Sequence, residues 1–189
     1  HNPNLIDAMV LCNNGAYSKS EQIGDPTETA LLEFAASKGY DIDKIKTENK
    51  RLSEVPFSSG RKRMSVLCGN TMYTKGAVDM LISRFTLTDD EKKKLLDTAD
   101  SMAKNGFRTL AFAKKTNTSG SISAEDENNL EFIGLVAMMD PPREEANDAV
   151  KKCKSAGIMP VMITGDHIST ASAIAKEVGI LSDGLRAVE

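Results

Sequence analysis

Hydrophobic and polar positions recur with different periods along the chain. In GDPTETALLEFAASKG (24–39), Leu31, Leu32, Phe34 and Ala35 fall at helical spacing, which predicts one apolar helix face. Asp25 suits the N-cap and Pro26 the first helical position. Glu28, three residues after Asp25, completes a capping box, and Gly39 suits the stop. From residue 51 the pattern shortens to alternation. RLSEVPF, RMSVLCG and TMYTKGA, punctuated by Gly60 and by Gly69-Asn70, predict antiparallel hairpins. TDDEKKKLLDTADSMAKNG predicts a second helix, capped at Thr88 and stopped at Gly106. FRTLAFAKK and LEFIGLVAMM predict further strands, with TNTSGSISAEDENN between them as a polar surface loop.

The texture changes at residue 140. DPPREE stiffens the chain at two prolines. A helix follows with Ala146, Ala149, Val150 and Cys153 on one face, ended by Gly157. IMPVMIT then predicts a compact apolar strand, GDH a tight turn, and ISTASAIAKEVGI a helix with Ile168, Ala171, Ile174, Ala175 and Val178 inward. Strand, turn and helix with a continuous apolar strand suggest a parallel sheet covered on both faces. The predicted class is therefore α+β: an antiparallel sheet flanked by helices over 1–139, a hinge at 140–143, and a partial α/β segment over 144–189.

Composition narrows the function. The 189 residues are 40% hydrophobic and 27% charged, ordinary for a globular chain. A net charge of −3 and a pI near 5.5 argue against a general nucleic-acid binder, so any anion must be held by a local cluster. No apolar run approaches the roughly 18–20 residues of a membrane helix, and the start HNPNLIDAMVLCNNGAYS lacks the pattern of a signal peptide. Cys12, Cys68 and Cys153 are far apart, with no CxxC and only two histidines, which reads as reduced thiols without a protein-built zinc site. GxxxxGK is absent, which excludes a P-loop kinase.

Two stretches carry candidate chemistry. In VPFSSGRKRMSVL, Phe57 stands beside a small polar loop and then Arg61, Lys62 and Arg63. A ring next to cations suits a nucleotide, whereas a core phenylalanine at a solvated hairpin end is the plainer alternative. Thr164-Gly165-Asp166 lies where an α/β sheet places ligands, after a strand and before a helix; a turn that merely caps the helix is the alternative.

GDPTETALL, PFSSGRKRMS, YTKGA, GFRTLAFA, DPPR and MITGDH occur in one order across residues 24–167. Together they resemble the cytoplasmic part of the P-type ATPases, most of all the type II cation pumps that move calcium. The resemblance covers nearly the whole chain. It implies a nucleotide-binding domain in which Phe57 stacks on adenine, Lys62 lines the pocket edge and Lys75, followed by Gly76, lies deep within it. Glu28 matches a glutamate near the adenine amino group, and Asp25 a commonly acidic position before it. Arg108 matches an arginine that reaches the phosphates. Asp140 and Arg143 match the hinge. Thr164, Gly165 and Asp166 match the phosphoryl-site loop of a phosphorylation domain resembling the haloacid dehalogenase superfamily. Ser59 departs from the pattern, since many relatives carry arginine there. Without the resemblance, Glu28 could simply cap its helix, Lys75-Gly76 could be a strand-end turn, and Arg108 a surface ion pair.

The family's nucleophile lies in DKTGT and a Mg²⁺-holding motif in GDGxND; neither occurs in this sequence. The expectation is a monomeric, soluble, ATP-binding piece of a membrane pump, facing the cytoplasm and inactive by itself. Its partners would be ATP and the actuator, phosphorylation and transmembrane parts of the same pump. Mg²⁺ would be a cofactor of the complete protein, with no metal held by this piece. A stand-alone nucleotide-binding regulatory module is the alternative. A soluble phosphatase with a large cap and a nucleic-acid binder are further classes; the missing nucleophile disfavours the first and charge the second.

Overall fold

The computed structural model describes residues 2–17, 22–118, 120–139, 143–164, 168–182 and 186–188. The chain divides into two compact units, His1–Leu96 with Leu110–Val136, and Asp97–Thr109 with Ala137–Glu189. The hinge positions Asp140, Pro141 and Pro142, and the loop positions Gly165 and Asp166, lie outside the described residues.

The first unit begins with a helix that the pattern analysis did not anticipate, α1 (Pro3–Leu11). Asn2 caps it by accepting from the Asn4 amide, and Pro3 opens it, a start signal present in Asn2-Pro3. A short antiparallel ribbon, β1 (Ala16–Tyr17) and β2 (Gln22–Ile23), leads to α2 (Pro26–Ser37) and α3 (Ile42–Glu48). Then come β3 (Arg51–Ser58), β4 (Arg63–Cys68), β5 (Thr71–Gly76), the short α4 (Val78–Leu81), a 3₁₀ turn at Ile82–Arg84, and α5 (Asp89–Lys104). β6 (Arg108–Lys115) and β7 (Glu131–Met138) complete a five-stranded sheet in the order β3-β4-β5-β6-β7. The β3–β4, β4–β5 and β5–β6 pairings are antiparallel, as the alternating pattern predicts.

Helices cover one face of this sheet. On that face Ile6, Met9 and Val10 of α1, Leu31 and Leu32 of α2, and Met64, Val66 and Phe112 of the strands are each at most 2% exposed, and on the other face Leu67 and Met72 are buried as well. Burying each of these larger side chains contributes about 1.5–3 kcal/mol. Phe34 departs from the predicted stripe: it is 43% exposed, and the Lys38 ammonium lies 5.3 Å from its ring centre. The cap signals fare better. Asp25 Oδ1 accepts from the Thr27 amide at 2.8 Å, Thr88 and Glu91 form a reciprocal capping box, and Gly106 follows α5 with φ of +83°.

β3 is an edge strand. Pro56 has no N–H to offer a further strand, and two register shifts, at Arg51/Ser53 and Val55/Ser58, break its regularity. Phe57 lies in the second.

In the second unit, α6 (Glu144–Ser155) and α7 (Ile168–Glu177) occupy the two predicted helices, with Gly157 and Gly179 at positive φ after them. The stretch between them differs from expectation. Residues 158–164 form no strand, and Ile158, Met159, Val161 and Ile163 are 58%, 74%, 74% and 94% exposed. A strand exists only through neighbours that share its ladder, and no described residue pairs with this segment. The apolar run is the right material for a buried strand, without the sheet that would bury it.

Gly76 sets how closely β5 approaches β4. A Cβ at this position would stand 2.6 Å from Arg63 Cβ and 2.8 Å from the Lys62 carbonyl oxygen. Gly76→Ala therefore has to spread the hairpin. The expected loss is about 1–3 kcal/mol, read as a lower urea midpoint at unchanged slope; an unchanged midpoint would show that the strand pair yields freely there.

Candidate functional site

Two polar clusters flank the middle of the sheet, one on each face, and meet at the turn that carries Phe57. The register explains this. Met64 pairs with Lys75 and Lys75 with Phe112, so these three share the helix-covered face. Arg63 pairs with Gly76 and Ser65 with Thr74, and these share the opposite face.

On the helix side, Lys75 is 7% exposed and its Nζ donates to Glu28 Oε1 at 2.5 Å. Glu28 Oε2 accepts from the Asn14 amide at 3.0 Å. The first turn of α2 thus aims its carboxylate across to the sheet, and the capping box read from Asp25 and Glu28 is only half made. Asp25 caps, whereas Glu28 binds Lys75. Asn13, 1% exposed, secures the same junction: its Nδ2 donates to the Glu28 carbonyl at 2.9 Å and to the Met9 carbonyl at 3.2 Å. Beneath it the Cys12 thiol donates to the Met64 carbonyl, and burial pushes its pKa up to about 11, leaving an inert thiol.

The turn itself runs from Ser58 to Arg63. The Arg61 and Lys62 amides both donate to the Ser58 carbonyl, at 3.2 and 2.7 Å. Lys62 adopts φ of +48°, a left-handed conformation unusual for a side-chain-bearing residue. Its carbonyl accepts from the Ala77 amide at 3.1 Å, which fastens the turn to the end of β5 beside Gly76. Phe57 sits opposite Met64, in the bulge between the pairs Val55–Ser65 and Ser58–Arg63, and is 62% exposed. Lys62 is exposed as well.

The other face holds a group that the sequence reading assigned to a polar surface loop. Glu127, between β6 and β7, is fully buried. Its two carboxylate oxygens accept from Arg61 Nη1 at 2.7 and 2.8 Å, from Arg63 Nε at 2.6 Å and from Ser65 Oγ at 2.9 Å. Ser65 Oγ also lies 2.9 Å from Thr74 Oγ1, and Arg84 Nη1 donates to the Glu127 carbonyl at 2.8 Å. Two of the three cations that make RKR look like an anion trap are therefore occupied by an internal anion. Its sequence signal was the last of three consecutive acids, Glu125, Asp126 and Glu127, shortly before the apolar β7, and period counting does not single it out.

The structure thus brings Glu28, Phe57, Lys62, Lys75 and Gly76 together at one end of the β3–β4–β5 hairpins, with Asp25 at the N-terminus of the same α2. Arg108 is exposed at the start of β6 and belongs to the second compact unit. Thr164 is exposed in the strandless segment, and Arg143 is exposed just before α6. A cavity of about 300 Å³ occupies the opposite end of β3–β4 and contains none of the predicted residues. Lys46 and Arg51 line it; burial and the neighbouring Arg51 charge lower the Lys46 pKa, and Lys46 Nζ donates to the Gly15 carbonyl at 3.0 Å. Among the described residues no group of three or more His, Cys, Asp or Glu side chains could hold a metal ion, and no helix is long and apolar enough to cross a membrane.

Comparison with known proteins agrees with the fold. Residues 2–145 match the family model described as the P-type ATPase cytoplasmic domain N. The chain is 43% identical to calcium-transporting ATPase 1 of Bacillus cereus, over 95% of this chain and 22% of that protein. It is 38% identical to calcium-transporting ATPase 1 of Lactococcus lactis, again over 95% and 22%. It is 43% identical to the cation-transporting ATPase pma1 of Synechocystis, over 86% of this chain and 19% of that protein. The chain therefore spans about a fifth of the length of these curated relatives. With its antiparallel sheet, flanking helices and matched residues 2–145, the chain belongs to the P-type ATPase family, in the region of the cytoplasmic N domain.

Proposed function

We propose that the first unit binds ATP, and that it does so as the nucleotide-binding part of a cation pump whose ion is calcium. In the complete protein, cytoplasmic ATP would be hydrolysed through an aspartyl phosphate with Mg²⁺, and the energy coupled to transport across the membrane. The observation that carries this reading is Phe57: a large aromatic ring left 62% exposed in a bulge, two strands from a nearly buried lysine. Neighbouring strands lie about 4.8 Å apart, so the span from β3 to β5 is on the order of 10 Å, the scale of a nucleoside. A bare ring beside cations suits a planar base carrying an anionic tail.

The division of labour follows from chemistry. The ring of Phe57 offers a π-face to adenine. Lys62, at the rim, and Lys75, deeper, offer point charges to phosphate oxygens. Glu28 holds the Lys75 ammonium in place and supplies an acceptor suited to the amino group of adenine. The names of the relatives, calcium-transporting and cation-transporting ATPases, support the choice of pump and ion. Roles for Arg108 at the phosphates, for Thr164, Gly165 and Asp166 as a phosphoryl-site loop, and for Asp140 and Arg143 as a hinge rest on the family resemblance. By the same resemblance, the Mg²⁺ that neutralises phosphoryl charge is assigned to the remainder of the pump.

ATP should bind the 189-residue chain with Kd on the order of 0.1–1 mM, about −4 to −5.5 kcal/mol. Stacking of a base on an aromatic side chain is worth roughly 1–3 kcal/mol. Phe57→Ala should therefore weaken ATP binding about tenfold or more in a calorimetric or NMR titration, and equal affinities would remove the ring from the site. A second test concerns chemistry. Charge and stacking position ATP, but cleavage needs an in-line nucleophile, and DKTGT is absent from the sequence. Incubation with radiolabelled ATP followed by acid quench should yield neither protein-bound nor released phosphate above a Phe57→Ala control. Phosphate in either form would mean that a carboxylate within this chain acts as nucleophile.

A further inference from the structure

Glu127 lies outside every residue matched to the nucleotide site, yet its contacts lead directly to that site. Arg61 is the link. One nitrogen, Nη1, donates to both oxygens of Glu127, at 2.7 and 2.8 Å, while Nη2 donates to the carbonyl of Pro56, the residue before Phe57. Arg63, on the far side of Lys62, donates its Nε to Glu127 at 2.6 Å. Both neighbours of Lys62 are thus anchored to one carboxylate, and the backbone preceding Phe57 is anchored through Arg61.

We propose that Glu127 is a positioning residue of the nucleotide site, one that fixes the Phe57 bulge and the Lys62 turn and keeps two guanidinium groups away from phosphate. The proposal rests on the ATP-binding reading above. Its physical basis is twofold. First, the contact chain from Glu127 through Arg61 to Pro56 sets where the ring stands. Arg61 reaches both carboxylate oxygens through one nitrogen and Arg63 reaches one through Nε; these short charge-assisted bonds to a buried anion restrict where Arg61 can stand, and the bulge inherits that restraint. Second, an Arg61 or Arg63 without its internal anion would be a strong phosphate ligand in its own right. It would bind any polyphosphate, with or without a base attached. By occupying both, and with Lys75 held by Glu28, Glu127 leaves Lys62 as the exposed cation beside the ring and gives the base a larger share of the affinity. The loop between β6 and β7, which also sends the Ile122 amide to Ser53 Oγ at 3.2 Å across the edge strand, thereby acts as a strap over the back of the site.

The test compares ATP with inorganic tripolyphosphate, which carries the anionic tail alone. In the wild-type chain ATP should bind about tenfold more tightly, the margin that stacking supplies. In Glu127→Gln, ATP should weaken, tripolyphosphate should strengthen, and the ratio should fall to within about threefold. Ile6→Val in the helix-packed core is the control for destabilisation alone, and its ratio should match wild type. A folded Glu127→Gln chain that keeps the wild-type ratio overturns the proposal, as does an equal change in Ile6→Val. Should Glu127→Gln fail to fold, Glu127→Asp decides. A carboxylate one methylene shorter cannot hold Arg61, Arg63 and Ser65 together, so the ratio should drop two- to threefold, and an unchanged ratio overturns the proposal. A wild-type chain that binds neither ligand overturns the ATP-binding reading itself, which separates the two failures.

Discussion

A carboxylate with no exposure to water has to be paired, and the pairing of Glu127 organises the strand end around it. Leaving a buried charge unpaired costs on the order of several kcal/mol, a sizeable share of the 5–15 kcal/mol by which a typical domain is stable. Glu127 meets this constraint with two guanidinium groups and a hydroxyl, drawn from three positions, Arg61, Arg63 and Ser65. Those positions are then no longer independent. The β3–β4 turn must end where Arg61 can reach the carboxylate, β4 must present Arg63 and Ser65 on the same face, and the β6–β7 loop must fold back over that face. Arg84, donating to the Glu127 carbonyl, ties in the 3₁₀ turn before α5.

The opposite face is built on the same principle with the charges exchanged. There a nearly buried ammonium, Lys75, is the group that needs a partner, and Glu28 at the start of α2 supplies it. Because Met64, Lys75 and Phe112 share one face while Arg63, Gly76, Ser65 and Thr74 share the other, adjacent residues of two short strands serve two different networks. Gly76 is where the networks come closest, its missing side chain accommodating Arg63 and the Lys62 carbonyl. Among the described residues no buried side-chain nitrogen or oxygen is left without a partner. The polar interior of the site is satisfied before any ligand arrives.

How much of this could be read from the sequence depended on whether the signal was local. The hairpins from residue 51 were legible because alternation and glycine punctuation are properties of adjacent residues. The Asp25, Thr88 and Gly106 boundaries were legible because capping is decided within one turn. The helix at Pro3–Leu11 carried its start signal in Asn2-Pro3, but its nearly continuous apolar run shows little period. Phe34 was placed inside by spacing and stands outside, because spacing defines a stripe without fixing which edge of it faces the core. Residues 158–164 illustrate the converse: the apolar content of a buried strand was legible, but strand structure belongs to a sheet and no described neighbour supplies one. Among the site residues, Phe57, Lys62, Lys75 and Glu28 came from motif resemblance; the β3–β4–β5 register brings the first three together, and the start of α2 carries Glu28 to Lys75. Glu127 escaped entirely, since it is separated from Arg63 by 64 positions and looks like any acidic residue in a polar loop.

These networks explain why the exposed ring is the informative feature. The acids and bases close to it are spoken for: Arg61 and Arg63 by Glu127, and Lys75 by Glu28. Phe57 is different. It is held from behind through the Pro56 carbonyl, yet more than half of its surface faces solvent. Leaving a phenylalanine in water forgoes the roughly 1.5–3 kcal/mol that burying it would contribute. Fixing its backbone in a bulge further restricts the ways it could collapse onto the sheet. A ring both exposed and held is pre-organised for a flat partner, since its orientation need not be bought again on binding. The exposed Lys62 beside it limits which flat partner fits: one carrying negative charge on a short tether, which is the general form of a nucleotide.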